Sequence, residues 1–449
     1  MNNMKMKSKV PVIHIGIFSG SEISFILNST FHDKHGIEMS GSCKASFNGE
    51  QILLESESSK ISSGTDILLS PHSDNSFFTI NAVTIGVNFH WQRKEDQVFK
   101  GSLKLIIEKG AVTAVNIISV EDYLVSVISS EMSATSSLEL LKAHSVVSRS
   151  WLLAQIEKSK TLGKGVKKYQ SLFRTDNEIV RWYDREDHLN YNVCADDHCQ
   201  RYQGITRAST PSVEKVIKET FGEVLLYENA ICDTRYYKCC GGVTELFENV
   251  WEPVNHPYLQ KVIDNPESPA GFDIHLENEE NADKWILGNP DAFCNTSDKK
   301  ILKEVLNDYD QETSDFYRWK VSYSQKELSD LIKTRTGIDF GIVTGLLPVQ
   351  RGVSGRIIKL KIEGTERTMT IGKELEIRKA LSKTHLYSSC FTVEKVENQQ
   401  DTWFILHGAG WGHGVGLCQI GAAVMGSKGY SYREILDHYF KNAILQKIY

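Results

Sequence analysis

The pattern of apolar and polar positions divides the chain into stretches of different character. Residues 10–118 alternate apolar and polar positions, punctuated by Gly, Asn and Ser. Within them Ile13–Ile17, Gln51–Leu54, Ser76–Ile80 and Leu103–Ile107 predict strands. Residues 119–158 change to helical spacing and predict two helices. Leu124, Val127 and Ile128 form one face of the first, and Glu131 falls four residues after Val127 on that same face. Leu140, Leu141, His144, Val147, Trp151 and Leu152 form the stripe of the second, with Ser136 and Glu139 reading as a capping box at its start.

Residues 160–204 are polar and rich in Cys and His. Further along, Val213–Gly222 predicts a helix, Glu223–Ile231 a strand, Trp319–Tyr323 a strand, Gln325–Thr334 a helix and Arg356–Ile362 an alternating strand. The last 30 residues predict a Gly-rich turn region and a helix over Tyr432–Phe440. The class is α+β: β-rich segments around a short two-helix catalytic unit, with an N-terminal β-rich region.

A chain of 449 residues can bury more than one core, because single cores stop growing at ~250–300 residues. The expected division is an N-terminal β-rich accessory region, 1–100, and a catalytic domain, 101–449. From Asp264 to Asp315 fourteen Asp/Glu face four Lys/Arg, a local charge of −10 within a total of −6, so the remainder sums to +4. This stretch reads as an acidic insertion with a solvated face. No long basic run exists, which argues against nucleic-acid binding. No run of 18 apolar residues predicts a membrane span. The first twenty residues lack the apolar core and cleavage site of a signal peptide, so a cytoplasmic location stays open. Nine cysteines is an odd number, and several cluster, which favours a metal or redox site over a full set of bridges.

Four constellations carry candidate chemistry. Glu131 is a lone carboxylate at the end of an apolar helix face. It is either paired with Lys142 or Arg149, or it is an acid/base whose protonated form is favoured by partial burial. Gly408 to Ala422 sets five glycines around Trp411 and His413 within nine residues, a loop suited to a sugar ring or simply a turn whose histidine bonds to backbone. Tyr236 to Glu245, with Gly241, Gly242 and Thr244, reads as a loop lining a site or as a tight turn. His188, Cys194, His198 and Cys199 lie within twelve residues and match the ligand types of a tetrahedral zinc site, with a Cys194–Cys199 disulfide or free thiols as the other readings. Cys239 and Cys240 could replace a ligand of that set.

In their order, these motifs resemble the SpoIID/LytB family (stage II sporulation protein D, amidase enhancers). The matching positions are Val120–Tyr123 with Glu131 and Met132, Leu141–Ala143 through Arg149, Tyr236 through Gly242 and Thr244, Gly355–Arg356 through Arg378, and Gly412 through Ala422. The resemblance implies a peptidoglycan-degrading lytic transglycosylase acting between MurNAc and GlcNAc on peptide-stripped glycan strands. It also implies a cell-envelope location and, as partners, glycan strands and a cell-wall amidase.

Glu131 and Arg149 would be catalytic, and Tyr236, Gly241, Gly242, Thr244, Trp411, His413 and Gln419 would line the substrate. A structural zinc on His188, Cys194, His198 and Cys199 would sit nearby. Ordinary glycosidases need two carboxylates; one suffices here if the sugar's own C6 hydroxyl replaces water and a 1,6-anhydro product forms. The chain departs from the family pattern at His144, where glutamine is common, and at Cys240 and Cys418, where small hydroxyl residues are common. Leu417 and Ile420 stand for the usual methionine and tyrosine. Two alternatives remain: a non-catalytic, glycan-binding amidase enhancer, and a cysteine amidase with Cys418 as nucleophile and His413 as base.

Overall fold

One antiparallel ladder ties the start of the chain to the two-helix unit. In the computed structural model, strand Val12–Gly20 pairs with Ala111–Ser119, from Val12 opposite Ser119 to Gly20 opposite Val112. The structure describes residues 9–57, 59–86, 92–133, 136–162, 170–183, 188–196, 198–206, 210–305, 315–398 and 401–449. Strand Ser102–Glu108 extends the same sheet to Asp66–Pro71, and further strands of the first hundred residues, with Val193–Cys194, complete an 11-stranded sheet. The boundary expected at residue 100 therefore falls inside a single hydrogen-bonded sheet. The core beneath it is shared: Ile13, Phe31 and Phe99 belong to the same buried cluster as Leu124, Val147 and Ile420. The alternation of apolar positions in this region buries one face in the core that it shares with the two helices.

The fold class is mixed α+β with a large β-rich region. Helix α1 spans Val120–Glu131 and follows its strand with one capping residue, Ser119, whose hydroxyl accepts from the Asp122 N–H. Glu121 and Asp122 sit in its first turn, where the helix dipole favours carboxylates. Helix α2 spans Leu138–Leu162. Its cap is Ser137, whose hydroxyl accepts from Leu140 N–H at 3.3 Å. Ser136, the expected cap, turns its hydroxyl to the Ser133 carbonyl. Glu139 is occupied by Lys142 and by the Tyr432 N–H, so the capping box does not form.

A five-stranded sheet, with Ile357–Gly364 between Thr368–Gly372 and Val343–Arg351, and a three-stranded sheet, with Thr402–Ala409 between Arg318–Ser324 and Phe391–Glu397, enclose a second core. The acidic stretch is only partly a solvated face. Its helix Glu279–Leu287 buries Ala282, Trp285 and Ile286, and Asp264 and Cys294 are fully enclosed. Residues 306–314 of that stretch lie outside the described residues. A two-residue parallel ladder, Tyr236–Tyr237 with Leu417–Cys418, brings the two glycine loops side by side.

Candidate functional site

Glu131 ends α1 at the wall of a cavity of about 180 Å³. Trp151, His198, Cys199, Gln200, Thr234, Arg235, Tyr236 and Trp251 complete the lining. One carboxylate thus stands among three aromatic rings and a guanidinium. The Glu131 Oε1 accepts the backbone N–H of Arg201 at 3.0 Å. That amide is held in place by its neighbours. Gln200 accepts from Tyr123 O–H and donates to the Ser148 carbonyl, Tyr202 stacks on Tyr123 with its O–H on Asn116, and the Gln203 N–H reaches Ser126. The loop is therefore clamped to both helices, which fixes the direction of the Glu131 carboxylate.

The two partners proposed for a merely paired Glu131 are engaged elsewhere. Lys142 bridges Glu139 and Glu219 at 2.9 and 3.0 Å. Arg149 is 0% exposed and grips Glu121 with two bonds of 2.9 and 2.7 Å, while donating to the Glu223 carbonyl. The expectation that Arg149 orients Glu131 or touches substrate is corrected by this placement. It stands two residues from the cavity-lining Trp151, hence on another face of α2, and instead anchors the opposite end of α1. The guanidinium that lines the cavity is Arg235, clamped by Asp233 at 2.7 and 2.9 Å and lying 4.6 Å over the Trp251 ring. Sequence reasoning missed it, along with Gln200 and Thr234, and placed Trp151 only in the stripe of the second helix. For Arg235 the available signal was its position immediately before Tyr236.

Tyr236 lines the cavity and rests on the buried His144 ring at 4.5 Å. Gln419 lies behind this pair, its amide 3.2 Å from His144 Nε2 and 3.7 Å from the Met132 sulfur. Burial, with Lys238 adding to it, pushes the His144 pKa down to about 3, so the ring is neutral. Gly241 and Gly242 have φ of +77° and +109°, and a Cβ on the latter would meet the Trp285 ring at 2.6 Å. They shape the loop without touching the cavity. Thr244 is buried, accepting from Val262 N–H and donating to the Gln260 carbonyl. The Trp411 ring lies between Tyr387 and Phe316, at 4.6 and 4.8 Å, and is likewise absent from the lining.

His413 donates from Nε2 to the Tyr236 carbonyl and accepts at Nδ1 from the Val415 N–H, both at 3.1 Å. Burial first, then Arg235, Arg378 and Arg356, holds it well below the ordinary histidine range. Both nitrogens being occupied, His413 has none left to act as base for Cys418.

His188, Cys194, His198 and Cys199 converge, their donor atoms all within 4.8 Å of one another, so the cluster could hold a metal ion. All nine cysteines are free, so Cys194 and Cys199 are not bridged. Cys194 is placed by the parallel pairing of Val193–Cys194 with Ile15–Gly16. A side chain at Gly16 would collide with the Tyr191 ring at 2.5 Å, and that ring stacks on His188 at 4.6 Å. The N-terminal strand is therefore one wall of the cluster. Hydrogen bonding from Cys199 first, then from His188 and His198, pulls the Cys194 thiol far below its ordinary value against the opposing effect of burial. Of the cysteines considered as substitute ligands here, Cys240 belongs to a different cluster, and Cys239 adjoins the Cys294 and Cys418 thiols of that cluster.

Residues 108–227 match the family model for the Stage II sporulation protein, and residues 245–416 match a domain of unknown function (DUF8618). The first of these matches spans both helices and the Cys/His loop. The chain is 26% identical over 342 residues to an uncharacterized protein of Brachyspira hyodysenteriae, covering 76% of this chain and 70% of that one. It is 24% identical over 334 residues to an amidase enhancer of Bacillus subtilis, covering 72% of this chain but 40% of that longer protein. With a stage II sporulation protein D of Bacillus amyloliquefaciens it shares 23% over 324 residues, covering 72% and 73% of the two chains.

Proposed function

We propose that the chain acts on the bacterial cell wall as a lytic transglycosylase, cleaving peptidoglycan glycan strands between MurNAc and GlcNAc with Glu131 as sole acid and base. The observation that carries this reading is the cavity itself: one carboxylate, aimed by the Arg201 amide, among Trp151, Trp251 and Tyr236. Aromatic faces suit sugar rings, and Arg235 suits a substrate carboxylate or hydroxyl. In this reaction protonated Glu131 donates to the bridging oxygen as the glycosidic bond breaks. The resulting carboxylate then removes the C6 hydroxyl proton of the same sugar, whose oxygen closes on C1 to give the 1,6-anhydro end. The proton given in the first half is regained in the second, and no water enters. Peptide-stripped strands, a cooperating cell-wall amidase and an envelope location follow from this substrate. Among the described residues no helix is long and apolar enough to cross a membrane.

The metal cluster fits zinc. Its thiol–imidazole separations are 3.5, 3.6 and 3.8 Å, and a tetrahedral ion with Zn–S of about 2.3 Å and Zn–N of about 2.0–2.1 Å would set them at about 3.6 Å. His188, Cys194, His198 and Cys199 would hold it, and it would supply rigidity: His198 and Cys199 share the cavity wall with Glu131, and Arg201 lies two residues on.

The amidase-enhancer relative favours a second reading, in which glycan is bound without cleavage. Mass spectrometry of products from purified peptide-free glycan separates the two. Wild type is expected to release anhydro-muramyl ends and Glu131→Gln to lose ~10²–10⁴-fold of that rate. Unchanged product release by the variant would sink the assignment, and binding without new ends in the wild type would establish the second reading.

A further inference from the structure

A second set of thiols lies outside everything used above. Cys240, Asp264, Cys294 and Cys418 come from four separate segments, yet their donor atoms all fall within 4.8 Å of one another and all four residues are buried. The Cys240 and Cys294 sulfurs are 3.3 Å apart. That is beyond a bond of about 2.05 Å and slightly inside the roughly 3.8 Å that two thiolates on one zinc would span. Backbone N–H groups point at the sulfurs: Cys240 and Gly421 donate to Cys418 at 3.2 and 3.5 Å, and Gly242 donates to Cys240 at 3.3 Å. Such donors stabilise thiolate ligands. Cys418 also caps the helix Gln419–Ser427, whose positive end favours a thiolate.

Asp264 supplies the second argument. It is 0% exposed, its oxygens fixed by Tyr439 O–H at 2.6 Å and by the Cys294 N–H at 2.9 Å. Among the described residues no lysine or arginine pairs with it, and its one basic neighbour is His438 at 3.8 Å. A buried carboxylate of this kind is costly without a compensating cation.

We propose that Cys240, Asp264, Cys294 and Cys418 form a second metal site, taking one soft divalent ion of the zinc class. Three thiolates select such an ion over magnesium or calcium, and the three thiol protons leave to solvent on loading. The ion staples the 264–294 excursion to both glycine loops: Cys240 lies four residues from Tyr236, and Cys418 precedes Gln419, which supports His144 beneath Tyr236. Cys240 and Cys418 are two of the positions at which this chain departs from the family pattern, and Cys294 lies in the segment matched by the other family model. The site is thus independent of the Cys/His cluster.

Elemental analysis of the purified full-length chain tests this. Two zinc-class ions per chain are expected, falling to one in Cys294→Ser and to one in His198→Ala. If Cys294→Ser fails to fold, cobalt-substituted wild type serves instead, its thiolate-to-metal absorption counting five thiolates if both sites load and two if only the Cys/His cluster does. A single ion that persists in His198→Ala and disappears in Cys294→Ser also supports the buried site. One ion lost only in His198→Ala overturns the proposal, as does a Cys240–Cys294 bridged peptide with the corresponding loss of two mass units.

Discussion

Helix α1 carries a glutamate at each end, and the two have opposite fates. Glu121, in the first turn, is enclosed by partners: two bonds from Arg149, the Tyr449 hydroxyl and the Gly222 N–H all reach its carboxylate. Glu131, in the last turn, faces a cavity and is aimed by one backbone amide. The helix dipole favours the first position and opposes the second, since a carboxylate at a C-terminus meets the negative end. The chain thus places one glutamate where it stabilises the helix and the other where it costs stability. A side chain kept against that cost is the better candidate for chemistry, and a charge satisfied on every side is the better candidate for architecture.

The largest expected effect separates the pair by activity. Glu131→Gln should lose ~10²–10⁴-fold in product release while unfolding at the same temperature or slightly higher, because a charge unfavourable to the helix end is removed, worth ~0.3–1 kcal/mol. Glu121→Gln should do the reverse. It leaves Arg149 buried without its counter-charge, at a cost of ~3–5 kcal/mol in denaturant titration, while each folded molecule keeps its turnover. If Glu121→Gln abolished turnover in fully folded protein, the division of roles would be wrong.

A smaller effect tests what surrounds Glu131. Trp251→Ala removes a ring from the cavity and from beneath Arg235. A loss of ~0.5–1.5 kcal/mol corresponds to a few-fold to about tenfold rise in KM for glycan, with kcat changed less. A fall in kcat alone would place Trp251 outside substrate binding.

The remaining effect concerns pH and develops only toward acid. His144 has a folded pKa of about 3 against an ordinary 6.5, lowered by burial. The unfolded chain therefore binds the extra proton first, and the stability due to neutral His144 is complete above pH ~6.5 and is lost as pH falls toward 3. His144→Gln removes that titration. Thermal unfolding of variant and wild type should diverge below pH ~6.5, with the wild type falling faster by at most roughly 5 kcal/mol at the acid limit. Parallel curves would show that His144 does not carry the dependence.

The two helices and Glu131 were legible because an amphipathic stripe interrupted by one carboxylate is a local signal. The Cys/His set was legible because its ligands lie close in sequence. The arginine at the cavity is not legible for a physical reason: Arg149 and Arg235 carry the same charge, and only packing decides which enters the core and which reaches the cavity. Helix Gln419–Ser427 reads in the sequence as part of a turn because Gly421 and Gly426 weaken its propensity. It forms because Gln419 to Met425 are all buried and their backbone groups must be satisfied internally. The buried cysteine set left no local trace, since its ligands come from residues 240, 264, 294 and 418.

The short parallel ladder between Tyr236–Tyr237 and Leu417–Cys418 has a consequence in time. Its strands are separated by about 180 residues, as in the contact from Cys418 to the Lys238 carbonyl. Loops that long close slowly and late. The floor under Tyr236 is completed only after the C-terminal segment has been synthesised and docked. A nascent chain that already displays Glu131 on a formed α1 would still lack the support that Gln419 gives to Tyr236 through His144.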